Sequence, residues 1–410
     1  MQHKEIVITS LLGFISTFEA SMILIAVPTI SDYFNISHIQ ASFLITVYVA
    51  IEALLFVPFS IVFERFGLKS GMILGGTFLA IGGLLIFLSN SFFEMELFRA
   101  IQAVGASIVL PSSLAYASRL GEDSKRGSAI GINHGIVSLG YVFGLPVGGL
   151  TAIFDWKILF LVSSIVALAG LLFVLKISNI HGRSSIGHSA FGPGIALSGV
   201  VIILFNIWAG IAIITVGLTM SLKSRLPGEY IKSSLSGFMH SITRNGFAAF
   251  LVFLYASIGY NALQYSLLVL LFPLSFTVFS LTGGRAFDRF GKKKVPLLAF
   301  FLMSLFSLSI FVNPILAEIL LGIASGLATT SNTSYTMGSL ERGNRTVGSA
   351  LRTLQGAASM SIGLSLASII SVKPGQIILT IMILNAIACI AVLFYNPSKL
   401  KKEATRHSGA

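Results

Sequence analysis

The chain has 410 residues, 55% hydrophobic and only 10% charged, whereas soluble domains carry about 25% charged residues, so a water-facing surface cannot be assembled from it. Lys and Arg outnumber Asp and Glu by 27 to 15, but the basic residues sit in short gaps between apolar runs rather than on one patch, which argues against nucleic acid as a partner. The single cysteine, Cys389, leaves no disulfide framework and no cysteine-rich metal site; no metal and no cofactor is expected.

Apolar runs close to the roughly 20 residues that cross a ~30 Å hydrocarbon core recur near 6–29, 40–62, 71–90, 95–117, 128–153 and 157–176. The first follows Met1-Gln2-His3-Lys4 and continues to about Val27. That outlasts the roughly 7–15 residues of a signal-peptide core and lacks a small-residue cleavage site, so it reads as a retained span. A second set lies near 235–258, 261–284, 295–312, 314–337, 347–371 and 375–395. Between them, residues 191–222 hold no charge, and one helix of that length would extend ~48 Å, too long for a single crossing. Lys176 and Arg183 before this stretch and Lys223 and Arg225 after it belong on one side by the basic-residue rule, so it crosses an even number of times. The two solutions are a tight hairpin turning near Asn206–Gly210 and a re-entrant pair, because each limb would reach only ~24 Å.

The expected fold is therefore an all-α membrane protein of two six-helix bundles with an extra central hairpin: fourteen transmembrane helices, or twelve plus a re-entrant pair. Residues 1–177 form the first half, 178–232 the linker with its hairpin, 233–397 the second half and 398–410 a tail. Placing the N-terminus in the cytoplasm puts Arg65 and Lys69, Arg119, Lys125 and Arg126, Arg285, Arg289 and Lys292 to Lys294, then Arg342 and Arg345 in alternate loops on the inside, with Lys399, Lys401 and Lys402 in the tail. The opposite loops offer little beyond Lys157 and Lys373. Because Lys and Arg in short loops set orientation, both termini are expected in the cytoplasm, beneath the plasma membrane.

Phe63-Glu64-Arg65-Phe66-Gly67-Leu68-Lys69 is echoed by Phe287-Asp288-Arg289-Phe290-Gly291-Lys292-Lys293, each after the second span of its half. Two copies in matching places indicate a duplicated six-helix unit, the kind of parallel repeat that builds transporters with a site near the bilayer midplane. An acid followed by Arg, Gly and more basic residues makes a compact ion-pair turn able to lock neighbouring helices or release them, so Glu64, Arg65, Gly67, Lys69, Asp288, Arg289, Gly291 and Lys292 are read as gating residues.

This pattern resembles the signature loop of the major facilitator superfamily. The copy from Gly284 follows it well; the first departs, with Ser60 for the opening Gly, Glu64 for Asp and Leu68 for a basic residue. Arg99-Ala100-Ile101-Gln102-Ala103-Val104-Gly105 is similar to the family's fourth-span motif. Gly140-x-x-x-Gly144-x-Pro146-x-Gly148-Gly149 resembles the fifth-span motif associated with antiporters, except that Leu145 separates Gly144 from Pro146. Phe18-Glu19-Ala20-Ser21-Met22-Ile23-Leu24-Ile25-Ala26-Val27-Pro28 looks like the first span of the fourteen-span drug:proton antiporter group, with Glu in place of Asp. The resemblance covers nearly the whole chain and implies alternating access.

Charges inside a span cost about 2.5–3.5 kcal/mol on insertion scales and normally face a cavity or a partner. Glu19 and Arg99 fall at similar depths, and are expected to share the outer part of a central cavity, either as a proton-exchanging pair or as a static ion pair. Glu52, mid-span and without a partner visible in the sequence, reads as a second proton site or a contact for a cationic substrate. His240, Arg244 and Asn245 make span seven unusually polar; Arg244 lies either about nine residues into the span, facing Glu52, or at its inner edge. His134, beside Asn133, either relays protons or bonds to a neighbouring helix. Gly140, Gly144 and Gly148 share one helical face suited to close packing, and Pro146 favours a bend.

No Gly-x-x-x-x-Gly-Lys-[Ser/Thr] phosphate loop and no His-Glu-x-x-His motif is present, so neither an ATP-driven pump nor a membrane metalloprotease, nor any other enzyme, is expected. The reading is a monomeric, proton-coupled secondary transporter whose partners are protons, a small-molecule substrate and the lipid bilayer. A drug or lipophilic-compound:proton antiporter fits the resemblance. The alternatives are a proton symporter in which Arg99 and Arg244 hold a small polar or anionic solute, and a non-transporting membrane sensor with the same fold.

Overall fold

A computed structural model describes residues 2–120, 124–150, 155–182, 184–203, 206–221, 226–257, 259, 264, 267–370 and 374–398. Arg183, Lys223, Arg225, Lys373 and the tail bearing Lys399, Lys401 and Lys402 lie outside these, as does the start of the expected eighth span. The described residues form α1 (Gln2–Phe34), α2 (His38–Phe66), α3 (Leu68–Leu88), α4 (Phe92–Leu120), α5 (Arg126–Gly149), α6 (Trp156–Val174), α7 (Gly187–Ile202) and α8 (Ile207–Ser221). There follow α9 (Gly228–Ser257), α10 (Leu271–Phe290), α11 (Lys294–Phe306) with a 3₁₀ turn at Ser307–Phe311, α12 (Pro314–Gly338), α13 (Arg345–Ile370) and α14 (Pro374–Leu393). No strand occurs among the described residues. Eight helical stretches are long and apolar enough to cross a bilayer: one in each of α1 to α6, then Lys294–Phe311 and Pro314–Gly338. The chain is a multi-pass membrane protein.

Helices α1 to α6 pack largely on one another, as do α9 to α14, and the two groups meet where α5 runs along α10 and where α13 lies against α2 and α4. Lipid provides no hydrophobic drive for helices to associate, so close packing through small residues takes its place. On α5 this happens twice. A methyl group added at Gly140 would lie 2.7 Å from Phe14 O, and one at Gly144 would lie 2.6 Å from Phe18 O. These glycines therefore let α5 press its C-terminal half onto α1. Toward the other end of α5, a methyl on Gly131 would lie 2.7 Å from Ser280 O of α10, so the N-terminal half of the same helix seals against the opposite group.

The gating motifs differ from the loops expected. Glu64 and Arg65 form the last turn of α2, and Asp288 and Arg289 the last turn of α10. Each helix ends at a glycine, with φ of 98° at Gly67 and 114° at Gly291, a backbone region that a side chain disfavours. Two residues on from each glycine, a lysine reaches the end of its own group: Lys69 Nζ donates to Leu175 O at 2.6 Å and Lys293 Nζ to Leu393 O at 2.5 Å. Cations at helix C-termini complement the dipole and the free carbonyls there.

A second duplication escapes inspection of motifs. Tyr116 Oη donates to Glu5 at 2.8 Å, and Tyr335 Oη to Glu229 at 2.8 Å. Each acid also binds the segment after the last helix of its group, Glu5 through Ser178 Oγ at 3.1 Å and Glu229 through Asn396 N at 3.0 Å. Glu5 and Glu229 precede Glu64 and Asp288 by the same number of residues, so the anchor belongs to the repeat.

Residues 191–222 form most of a helical pair. Asn206 Oδ1 accepts from Trp208 N and Ala209 N, both at 3.0 Å, and starts α8. Ile207 to Gly210, where the turn is expected, thus already belong to α8. α7 packs on α2 and α13, where Ser198 Oγ donates to Ala53 O at 2.7 Å, so the pair rests along a seam between the two groups. α9 begins well before the sequence-derived start of span seven, which moves Arg244 from near its inner end to mid-helix, ~24 Å from Gly228.

Candidate functional site

A cavity of about 270 Å³ lies between the groups, bordered by α1, α2, α4 and α5 on one side and by α9, α10, α12 and α13 on the other. Its charged groups are Glu52, Arg99, Arg244 and Arg352, with Asn133, His134 and Asn245 beside them and Tyr48, Phe56, Tyr141 and Phe276 among its aromatic walls. Glu52 is buried, and its Oε1 has no hydrogen-bond partner among the described residues. Arg99, with no exposed surface, donates from Nη1 to Gln102 Oε1 at 2.7 Å and stacks its guanidinium 4.0 Å from the centre of the Tyr48 ring. Stacking and a neutral acceptor hold Arg99 where no carboxylate touches it, a use of the planar guanidinium that Lys could not match.

The facing group contributes two more guanidiniums. Arg244 Nε donates to Asn245 Oδ1 at 3.3 Å, and its Cζ lies 5.6 Å from the Phe276 ring centre. Arg352, 6% exposed, reaches only hydroxyls, Thr333 Oγ1 and Ser241 Oγ, both at 3.4 Å. Neither forms an ion pair among the described residues, and Arg244 does not contact Glu52. Arg352 is not among the charges expected inside a span, although the cavity has it. A charge seven residues beyond Arg345 in the same apolar run was the available signal.

The remaining sequence candidates are distributed around this cavity rather than gathered in it. Glu19 is fully buried but turned toward α6, where Ser163 Oγ donates to its Oε1 at 2.6 Å. It does not border the cavity, and no direct ion pair joins it to Arg99. Gln102 serves Arg99 and packs beneath Gly82 and Gly83 of α3. His240 lies in the interior of the second group, its ring nitrogens within 3.3 Å of Asn385 Oδ1, Ser325 Oγ and Thr329 Oγ1. Those contacts tie α9 to α12 and α14, and His240 does not itself border the cavity although its partner Thr329 does. His134 does border the cavity, with Nε2 unpartnered, while Asn133 Nδ2 donates to Ser10 Oγ at 3.0 Å and Ser113 Oγ at 2.9 Å. Gly148 and Gly149 are buried in the last turn of α5, just past Pro146.

The end of the bundle that carries the repeated motifs is closed by contacts between the groups. Glu64 is ion-paired with Arg119 at the end of α4, and Arg119 Nη2 also donates to Gly343 O at 3.0 Å across the interface. Asp288 accepts from Gly127 N at 2.9 Å and from Ser128 N and Oγ, both at 2.7 Å. A carboxylate at the N-terminus of α5 satisfies free amides and complements the dipole. Arg126 Nε donates to Ser334 O at 3.1 Å, and Arg345 Nη1 to Ser118 O at 2.5 Å, so each group sends an arginine to the carbonyl end of the other's fourth helix. Arg65 and Arg289 are exposed, Arg289 lying 5.3 Å from the Phe290 ring, and Lys292 sits in the turn after Gly291. Of the two acids only Asp288 contacts the other group directly, Glu64 reaching it through Arg119, and Arg65 and Arg289 stay at the rim.

Residues 9–227 and 233–409 match the family model of the Major Facilitator Superfamily. The chain belongs to that superfamily. Among curated relatives it is 30% identical over 151 residues to the riboflavin transporter RibZ of Clostridioides difficile (strain 630), covering 37% of this chain and 33% of that one. It is 27% identical over 164 residues to the methyl viologen resistance protein SmvA of Salmonella typhimurium, covering 40% and 33%. These matches span about a third of the relatives' length. Among solved structures, the human organic anion transporter MFSD10 (TETRAN) superposes with a TM-score of 0.71 at 15% identity, over 96% of this chain and 99% of that one. The Escherichia coli fucose:proton symporter FucP gives 0.68 at 15%, over 95% and 98%.

Proposed function

We propose that this facilitator is a proton-coupled antiporter that exports an organic compound through the central cavity by alternating access. The observation that carries this reading is the unpartnered carboxyl of Glu52 on the wall of a cavity whose motif-bearing end is latched shut. A carboxyl held there can take a proton from one side and release it to the other as the halves rock. Glu19, one helix back, would serve as a second proton group reached through Ser163. Export, rather than uptake, is supported by the glycine and proline series on α5 that resembles the antiporter motif. The names of the relatives, a riboflavin transporter and a methyl viologen resistance protein, speak for an organic solute.

In this reading residues 1–177 and 233–397 are the rocking halves, 178–232 carries α7 and α8 as an added hairpin, and 398–410 is a tail. The hairpin completes a fourteen-span arrangement; at ~24 Å each limb crosses with local thinning of the bilayer. The basic end faces the cytoplasm of a plasma membrane, and the unit works as a monomer. The test is purified protein in liposomes under an imposed pH gradient, screened with aromatic anions and lipophilic cations. Glu52→Gln is expected to lose gradient-driven transport at least tenfold while retaining substrate exchange at equal pH. Gradient-driven transport by Glu52→Gln at the parent rate would overturn proton coupling through this residue.

A further inference from the structure

Resting on that reading of the cavity, we infer that the transported compound is an aromatic organic anion whose ionised group is held between Arg244 and Arg352. The cavity presents three guanidiniums against one carboxylate. Arg99 is already engaged by Tyr48 and Gln102. The two on the facing group are not comparably engaged: Arg352 has only 3.4 Å contacts to hydroxyls, and Arg244 a 3.3 Å bond to the neighbouring amide. Charge inside a membrane protein is ordinarily paired, and among the described residues no carboxylate forms an ion pair with either.

The two arginines sit on adjoining helices held in register, because Asn245 Nδ2 of α9 donates to Ser359 Oγ of α13 at 3.0 Å. The fork of donors on a guanidinium matches the oxygens of a carboxylate, sulfonate or phosphate, which Lys would bind only as a point charge. From the opposite wall His134 offers Nε2, which has no hydrogen-bond partner among the described residues. Phe276, against which Arg244 already lies, and Tyr141 supply aromatic faces for the body of the ligand. A lipophilic cation entering the same space would meet three guanidiniums and a single carboxylate, which disfavours it.

The charge division between the halves then has a purpose. Glu19 and Glu52, the proton groups, stand on α1 and α2, whereas the two arginines that take the substrate stand on α9 and α13. An anion so docked takes its charge contacts from the second half alone, which leaves the proton-bearing half free to titrate.

Equilibrium binding to the purified full-length protein tests this without a proton gradient. The probes are 2-naphthoate and 2-naphthylmethylammonium, which share one aromatic body and differ in charge. Saturable binding of the anion, at least tenfold tighter than the cation, is expected. Arg352→Gln and Arg244→Gln should each weaken the anion by about 10- to 100-fold, and Arg352→Lys should give partial recovery, with size-exclusion profile and Tm monitored for each. If Arg352→Gln does not fold, Arg352→Lys and Arg244→Gln carry the comparison. No saturable naphthoate binding, equal affinity for the cation, or arginine variants within twofold of the parent would overturn the inference. Anion binding without any pH-driven flux would instead count against proton coupling alone.

Discussion

Removing the Asp288 carboxylate should open the latched end of the bundle. Three hydrogen bonds converge on it, from Gly127 N at 2.9 Å and from Ser128 N and Oγ at 2.7 Å, and it stands at the first turn of α5. The side chain is part-exposed, so each bond contributes about 1 kcal/mol and the dipole roughly 0.5 kcal/mol more, less what water recovers. The loss comes to about 2–3 kcal/mol, all of it from the closed arrangement, because these contacts join opposite groups. That corresponds to a shift of roughly 30- to 150-fold toward the open arrangement. Ser334, buried beside Arg126, reports the change. With Cys389→Ser and Ser334→Cys as the parent, maleimide labelling should accelerate by at least tenfold in Asp288→Ala and by less in Asp288→Asn, which keeps one acceptor. A labelling rate within twofold of the parent in Asp288→Ala would refute the assignment of Asp288 as a latch.

Two further perturbations probe the same framework. Arg119→Ala strands Glu64 in a nearly fully buried site, where breaking an ion pair costs about 3–5 kcal/mol; a large drop in Tm is expected, and Arg119→Ala with Glu64→Ala should recover part of it. Additive losses in that double variant would argue that the pair is not coupled. Gly140→Val places a branched side chain against Phe14 O and Phe18 N, both 2.7 Å from where its Cβ must go, so overpacking of about 1–3 kcal/mol is expected. Unchanged thermal stability in detergent would show that α1 and α5 are free to separate there.

The anchor of Glu5 on Tyr116 and its copy, Glu229 on Tyr335, show why duplication is hard to see one motif at a time. Each pairs residues far apart in sequence, 111 positions in one copy and 106 in the other, so spacing within a motif carries no trace of it. The copies at Glu64 and Asp288 share a sequence and yet act differently: Asp288 caps α5, whereas Glu64 is drawn to Arg119 and lies beneath Gly182 N, which donates to its backbone carbonyl at 2.9 Å. A single extra methylene and a nearby guanidinium separate the two outcomes, and only the second of these depends on tertiary contacts.

Hydrophobic runs, loop charges and the repeated acid-Arg-Phe-Gly turn were enough to define a helical membrane protein with two related halves, because lipid admits only backbone that bonds to itself and because a duplicated gene leaves its pattern in the chain. They also singled out Glu52, Arg99, Arg244 and His134, which border the cavity. What they did not decide was direction around each helix. Glu19 turns to Ser163, His240 to Asn385 and Arg352 to the cavity, and a change of about 100° per residue separates those fates. Which buried charges meet and which face an empty space is set by how neighbouring helices cross, and that is a property of the packed bundle alone.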